Sequence, residues 1–223
     1  MATERAQDKE FALPEGRLIN GHLFVRSVYT DENGKEGAPM YKVEMAYPKK
    51  DNLLAEFEEH VWDILVEEYG QKTIEEADEE DLIDWRILDG DALKKGRESR
   101  GKEGDAYAGM DIIRASTQFN KEGDPAEGGI AVYDEDVEDI EPVNKSKVYN
   151  GSYGVVGVKC RPYTAKDRKG NTIYSVVVYI VAYQKTGDGD KLTPTADRSS
   201  LFEKKTTGKK SSGGRKSGRK ARD

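Results

Sequence analysis

Two runs of alternating apolar and polar residues flank a charged turn in "VYNGSYGVVGVKCRPYTAKDRKGNTIYSVVVYIVAYQ", residues 148 to 184. Alternate residues of a strand share a face. Val156, Val158 and Cys160 then fall on one side of the first run, and Val176, Val178, Ile180 and Ala182 on one side of the second. Those are the expected core positions of an antiparallel hairpin. The other side brings Lys159, Arg161 and Tyr163 beside Val177, Tyr179, Val181 and Tyr183, and the turn adds Lys166, Arg168 and Lys169. Upstream, "GRLINGHLFVRSVY" (16–29) and "PMYKVEMAYPKKD" (39–51) read as two more strands around a turn containing Asn33-Gly34. The period changes in "DNLLAEFEEHVWDILVEEYG", where Leu53, Phe57, Val61, Leu65 and Tyr69 form an i, i+4 stripe. That spacing predicts an amphipathic helix, capped by Asp51 and ended by Gly70.

A shorter helix is expected through "IEEADEEDLIDW", with Thr73 and Glu76 as its capping box. Residues 89–106, rich in Gly and Lys/Arg, read as a mobile polar loop, and strand character returns in "YAGMDIIRASTQF" (107–119). "GGIAVYDEDVEDIEPV" holds a short strand and an acidic run. The expected fold is mainly β: a small, partly open barrel of five principal strands, with a helical insertion among them at about 51–86. Residues 1–15 are expected to be a flexible arm, 16–192 the domain, and 193–223 a disordered basic tail.

Composition supports one domain with solvated extensions. Hydrophobic and charged residues each make up 35% of the 223 residues, too polar a mix for one core throughout. The mean hydropathy is −0.83. A single cysteine and two histidines exclude an intramolecular disulfide and argue against a zinc site. No apolar run reaches the length of a membrane span, and "MATERAQDKE" lacks the apolar core of a signal peptide, so an intracellular protein without membrane contact is expected. The net charge of −7 hides a division. Lys204, Lys205, Lys209, Lys210, Arg215, Lys216, Arg219, Lys220 and Arg222 face only Asp223, a net +8, which leaves −15 on residues 1–203.

That division bears on what the hairpin face does. A cationic groove that tracks phosphates, with rings on which bases stack, is the physics of single-strand binding. The competing reading is a second buried face, where tyrosines pack and Lys/Arg stems snorkel. Asp89-Gly90-Asp91 and Asp188-Gly189-Asp190 could serve a metal-dependent nuclease, or be ordinary Asp/Gly turns. His22 and His60 have no Ser or Cys partner at a motif spacing, and Cys160 reads as a core thiol. The acidic runs 75–81 and 134–141 are solvated surface, or repel duplex, or hold the basic tail; an acidic body that mimics DNA is a further alternative. Trp62 and Trp85 are expected to pack the helical block on the barrel.

The order of several islands resembles the single-stranded DNA-binding proteins of tailed phages built on one OB barrel. They are "GRLINGHLF", "YKVEMAYPKKD", "DGD", "YAGMDIIRAST", "VYNGSYG" and "GNTIYSVVVYIVAYQKTGDGDKL", together spanning Gly16 to about Leu192. The resemblance implies an OB barrel, a helix after the second strand, single-stranded DNA as ligand, no catalysis and no cofactor. It also implies a role in phage replication and recombination in the cytoplasm of an infected bacterium, with replication proteins as partners. Lys49 and Lys50 fall where that family carries a basic residue near the groove, and Tyr149 and Gly151 match its Y-x-G lead into the fourth strand. One feature departs: such proteins often end in an acidic tail, and this chain ends basic.

The expected phosphate contacts are Lys49, Lys50, Arg114, Lys159, Arg161, Lys166 and Arg168, and the expected stacking rings are Tyr163, Tyr179 and Tyr183. Tyr41, Tyr107 and Tyr153 are further candidates. The tail cations from Lys204 to Lys220 are expected to add weak affinity for duplex, because a flexible polycation binds phosphate without reading bases.

Overall fold

The computed structural model describes residue 6 and residues 9–28, 34–117 and 130–192. The chain divides into two units, Met1–Thr193 and Pro194–Asp223. All described residues belong to the first, and the expected tail lies outside them.

The two alternating runs become β8 (Tyr153–Lys166) and β9 (Thr172–Gly187), paired antiparallel over nearly their full length. With β2 (Gly16–Ser27), β3 (Met40–Pro48) and β6 (Met110–Thr117) they form the sheet order β9-β8-β2-β3-β6. Its two ends meet where Thr117 Oγ1 on β6 donates to the Ile180 carbonyl on β9 at 3.0 Å. These are the five expected strands. The described residues hold nine, because four short ones add to the edges. Glu10–Ala12 (β1) pairs with β8, Ile83–Asp84 (β4) and Ala131–Tyr133 (β7) run parallel to β9, and Ile87–Asp89 (β5) joins β6. β7 is the short strand expected in "GGIAVYDEDVEDIEPV"; the other three, of two or three residues each, carry no readable alternation.

β1 corrects the expectation of a loose arm through residue 15. Phe11 lies over the His60 ring at 5.1 Å, and the buried Leu13 donates its N–H to the Val156 carbonyl at 2.9 Å. Two apolar side chains are enough to hold the segment on the sheet, since burying each contributes roughly 1.5–3 kcal/mol.

The inner faces of β2, β3, β6, β8 and β9 supply the core, including Leu18, Val43, Met45, Ile113, Val156, Val158, Val176 and Ile180. Burial pushes the Cys160 thiol up to about 12, so it is inert packing. Alternation predicts the buried apolar positions Val176, Val178 and Ile180 of β9 and then fails; Ser175, on the other register, is also buried, where its hydroxyl donates to the Asp84 carbonyl at 2.9 Å. Val158 pairs with Ile180 but Gly157 pairs with Ala182, so Val181 is an extra residue that shifts the register. A bulge of this kind reverses which face the following residues occupy. Tyr183, expected on the outer face, is therefore fully buried, and Ala182 is not. Burial raises its hydroxyl to about 12.

The helical block consists of α1 (Ala55–Tyr69) and α2 (Gln71–Glu79). Phe57, Val61, Ile64 and Leu65 of α1, with Ile74 and Ala77 of α2, are buried in the main core. Gly70 separates the helices at φ +87°, in the region that favours glycine, and its N–H closes α1 on the Val66 carbonyl at 2.9 Å. Neither expected cap forms. Asp51 lies in a 3₁₀ turn with Lys49 and Lys50, and α2 starts at Gln71, ahead of Thr73. Trp62 and Trp85 stack on one another, centroids 6.3 Å apart and planes within 12°.

The expected loop at 89–106 contains a third helix, α3 (Gly90–Glu98). Asp89 caps it by accepting the Asp91 N–H at 2.9 Å, and Leu93 packs on a small second core of Ile19, Ala46, Tyr107 and Ile112. Lys94 adds ion pairs to Glu98 and Asp105. The apolar contribution is one leucine, too little to register as a helical stripe.

Candidate nucleic-acid interface

β8 and β9 bury their inner residues and leave the alternates facing out, which fixes most of the expected hairpin face. Lys159 lies directly opposite Tyr179, and Arg161 opposite Val177. Arg161 is exposed; Lys159, Tyr163 and Tyr179 are partly exposed. The strands end in a turn whose cations are organised by one carboxylate. Asp167 Oδ1 accepts the N–H groups of Lys169 and Asn171, both at 2.8 Å, and Asn171 Nδ2 donates to its other oxygen at 3.0 Å. Those bonds hold the Asp167 carboxyl below its ordinary range. With that charge folded onto the backbone, Lys166, Arg168 and Lys169 stand exposed at the tip. Lys166 Nζ also reaches Thr172 Oγ1 at 2.6 Å.

Tyr41 and Tyr107, further stacking candidates, are buried, as is Tyr183; Tyr153 is exposed. Tyr107 donates its hydroxyl to Glu44 Oε2 at 2.6 Å, and burial followed by that carboxylate raises its pKa. A ring enclosed on both faces by protein cannot also receive a base.

Of a second outward row, across β2, β3 and β6, sequence reasoning named only Arg114. His22, Lys42 and Ser116 lie side by side, and next to them Asn20, Glu44 and Arg114. Arg114 Nε donates to Glu44 Oε1 at 2.8 Å, and the Arg97 guanidinium of α3 lies 4.9 Å over the Tyr107 ring. One carboxylate thus braces Arg114 and Tyr107, while Arg97 covers the ring. The alternation in "YKVEM" carried the signal for Lys42; Arg97 was hidden because its helix was read as loop.

Lys49 does not stand free for phosphate. Its Nζ bridges Asp89 Oδ1 at 2.5 Å and Asp91 Oδ2 at 2.7 Å. These bonds raise the lysine and lower both carboxyls. Lys50, in the same turn, is exposed. The same geometry bears on a nuclease site: an ammonium occupies the space between the carboxylates. Asp188 is paired with Lys185 at 2.6 Å and lies 3.1 Å from the Tyr149 hydroxyl, and its pKa falls in consequence. Among the described residues, no group of three or more His, Cys, Asp or Glu could hold a metal ion.

The "VYNGSYG" and "TGDGDKL" segments form a clasp. The Gly189 N–H donates to the Tyr149 hydroxyl at 3.3 Å, Leu192 N–H to the Asn150 carbonyl at 2.9 Å, and Arg17 to the Asp190 carbonyl at 3.0 Å. Gly151 sits there at φ +112°, where an added Cβ would meet the Asp190 carbonyl oxygen at 2.0 Å. These residues lock the start of β8 to the end of β9, so their motif is architectural.

A mainly β sheet of five long strands that is cationic and tyrosine-bearing on its outer hairpin face has the surface of a binding module. The sequence of this chain matches the family model described as Enterobacter phage Enc34, ssDNA-binding protein, over residues 18–211, and the chain belongs to that family. Its fold is similar to the single-stranded DNA-binding protein from bacteriophage Enc34 in complex with ssDNA: TM-score 0.53, 16% identity, covering 82% of this chain and 89% of that one. It is also similar to gp2.5, a single-stranded DNA-binding protein encoded by bacteriophage T7, with TM-score 0.50, 15% identity, and 89% and 97% covered. No curated protein matches the sequence.

Proposed function

We propose that this protein binds single-stranded DNA, without catalysis, on the outer face of an OB-type barrel formed by β2, β3, β6, β8 and β9. The observation that carries the reading is the β8–β9 face, where Lys159 and Arg161 accompany Tyr163 and Tyr179 above a tip of three cations. The cations neutralise phosphates and the rings stack bases; every base has a π-face, so little sequence preference follows. Family membership supports the same ligand. Arg114, Lys42 and Lys50 extend the cationic surface.

Residues 16–192 are the DNA-binding domain in this reading. The Lys204–Arg222 segment adds weak duplex affinity, and the protein coats strands during phage replication and recombination in the cytoplasm of the infected host, beside replication proteins. The test is binding to oligo-dT of about 30 nucleotides at several salt concentrations. Affinity should fall steeply with salt through counterion release. No binding at low salt overturns the proposal.

A further inference from the structure

Both tryptophans of the chain lie in one groove that the DNA reading does not use. A cavity of about 430 Å³ is lined by Ala55, Glu58, Glu59, Trp62, Asp63 and Trp85. Its aromatic part is the Trp62–Trp85 stack, and both rings remain partly exposed. Glu58, Glu59 and Asp63 are exposed and form no ion pair among the described residues. Desolvation, with Asp111 nearby, raises Glu58 above the ordinary range. Excess negative charge beside indole faces suits a cation: carboxylates attract it, and the ring faces take up guanidinium or ammonium.

We propose that this groove receives the Lys204–Arg222 segment of a second copy of the protein. The chain carries that complement itself, nine bases against one acid between residues 204 and 223. Residues 1–203 carry −15, so neighbouring copies on one strand repel unless something positive lies between them. A +8 segment laid on the next copy's acidic face offsets that repulsion. Groove and segment are different surfaces, so the contact is head-to-tail and propagates as an open chain of copies. The strand-coating part rests on the proposed function; the contact itself needs no DNA.

The test uses the full-length protein without DNA. Trp62 and Trp85 are the two tryptophans in the chain, so intrinsic tryptophan emission reports on this groove. A synthetic peptide of residues 204–223 should change that emission saturably. Sedimentation velocity should show association that grows with protein concentration and weakens with salt. The Glu58→Gln/Glu59→Gln/Asp63→Asn variant should lose peptide affinity by about tenfold, since each exposed ion pair is worth up to a few-fold. It should sediment as a monomer yet still bind oligo-dT. A monomer at all concentrations, or a peptide response without self-association, overturns the proposal. Loss of oligo-dT binding by the wild type would overturn the proposed function instead, leaving this result to stand or fall separately.

Discussion

The β8–β9 hairpin and the α1–α2 block pack on the same core but turn opposite charges outward. Residues 153–187 hold six bases and one acid; residues 55–81 hold one base and twelve acids. Both present aromatic rings, tyrosines on the hairpin and, on α1, the Trp62 indole stacked with Trp85 from the segment that follows β4. Rings alone therefore do not select a ligand. The surrounding charge does: a phosphate chain is drawn to the hairpin and repelled from the helices, while a cationic peptide meets the reverse. The same contrast explains how a chain of net −7 can still bind DNA.

Reversing the hairpin's charge should break the comparison most severely. Lys159→Glu with Arg161→Glu should weaken oligo-dT binding on the order of a hundredfold and flatten its salt dependence. Titrations at several ionic strengths measure both. Among the tyrosines, position in the pleat should separate two outcomes. Tyr179→Ala should cost about 1–3 kcal/mol of binding and leave the melting temperature nearly unchanged. Tyr183→Ala should destabilise the fold by about 3–5 kcal/mol, because the ring is fully buried. Thermal melts beside binding curves distinguish them.

A smaller effect concerns pH. Burial, and then the Lys9 charge, depress the buried His60 imidazole, with Asp63 opposing. The unfolded histidine titrates near 6.5, so as pH falls through that value the unfolded state takes up the proton first. Stability present above about pH 6.5 should be lost between there and the lower folded value. His60→Leu should flatten that fall in melts from pH 7.5 to about 5, leaving the part from His22, which burial also depresses. Smallest is Asp89→Ala, which removes the α3 cap and one arm of the Lys49 bridge. It should lower the melting temperature slightly and leave oligo-dT affinity almost intact.

Alternation made the hairpin legible as far as each strand stayed regular. Val156, Val158, Cys160, Val176, Val178 and Ile180 are all core positions, as a period of two requires. The extra residue at Val181 ended that regularity, and nothing in "YIVAY" marks a bulge. α1 was legible from its stripe, but α3 was not, since its stability comes from a cap, one leucine and ion pairs to Lys94. The candidate site was readable as types of residue on a face. Which cations are already engaged was not, because Lys49 meets Asp89 and Asp91 only through tertiary folding, 40 residues or more along the chain.

The most direct test of the hairpin as the DNA interface is photo-crosslinking. Halogenated oligo-dT is irradiated with the full-length protein, and the modified peptides are then mapped. The account predicts adducts at Tyr163 and Tyr179 of β8 and β9, suppressed by excess unlabelled oligo-dT. Adducts confined to Trp62 and Trp85, with none on the hairpin, would contradict it.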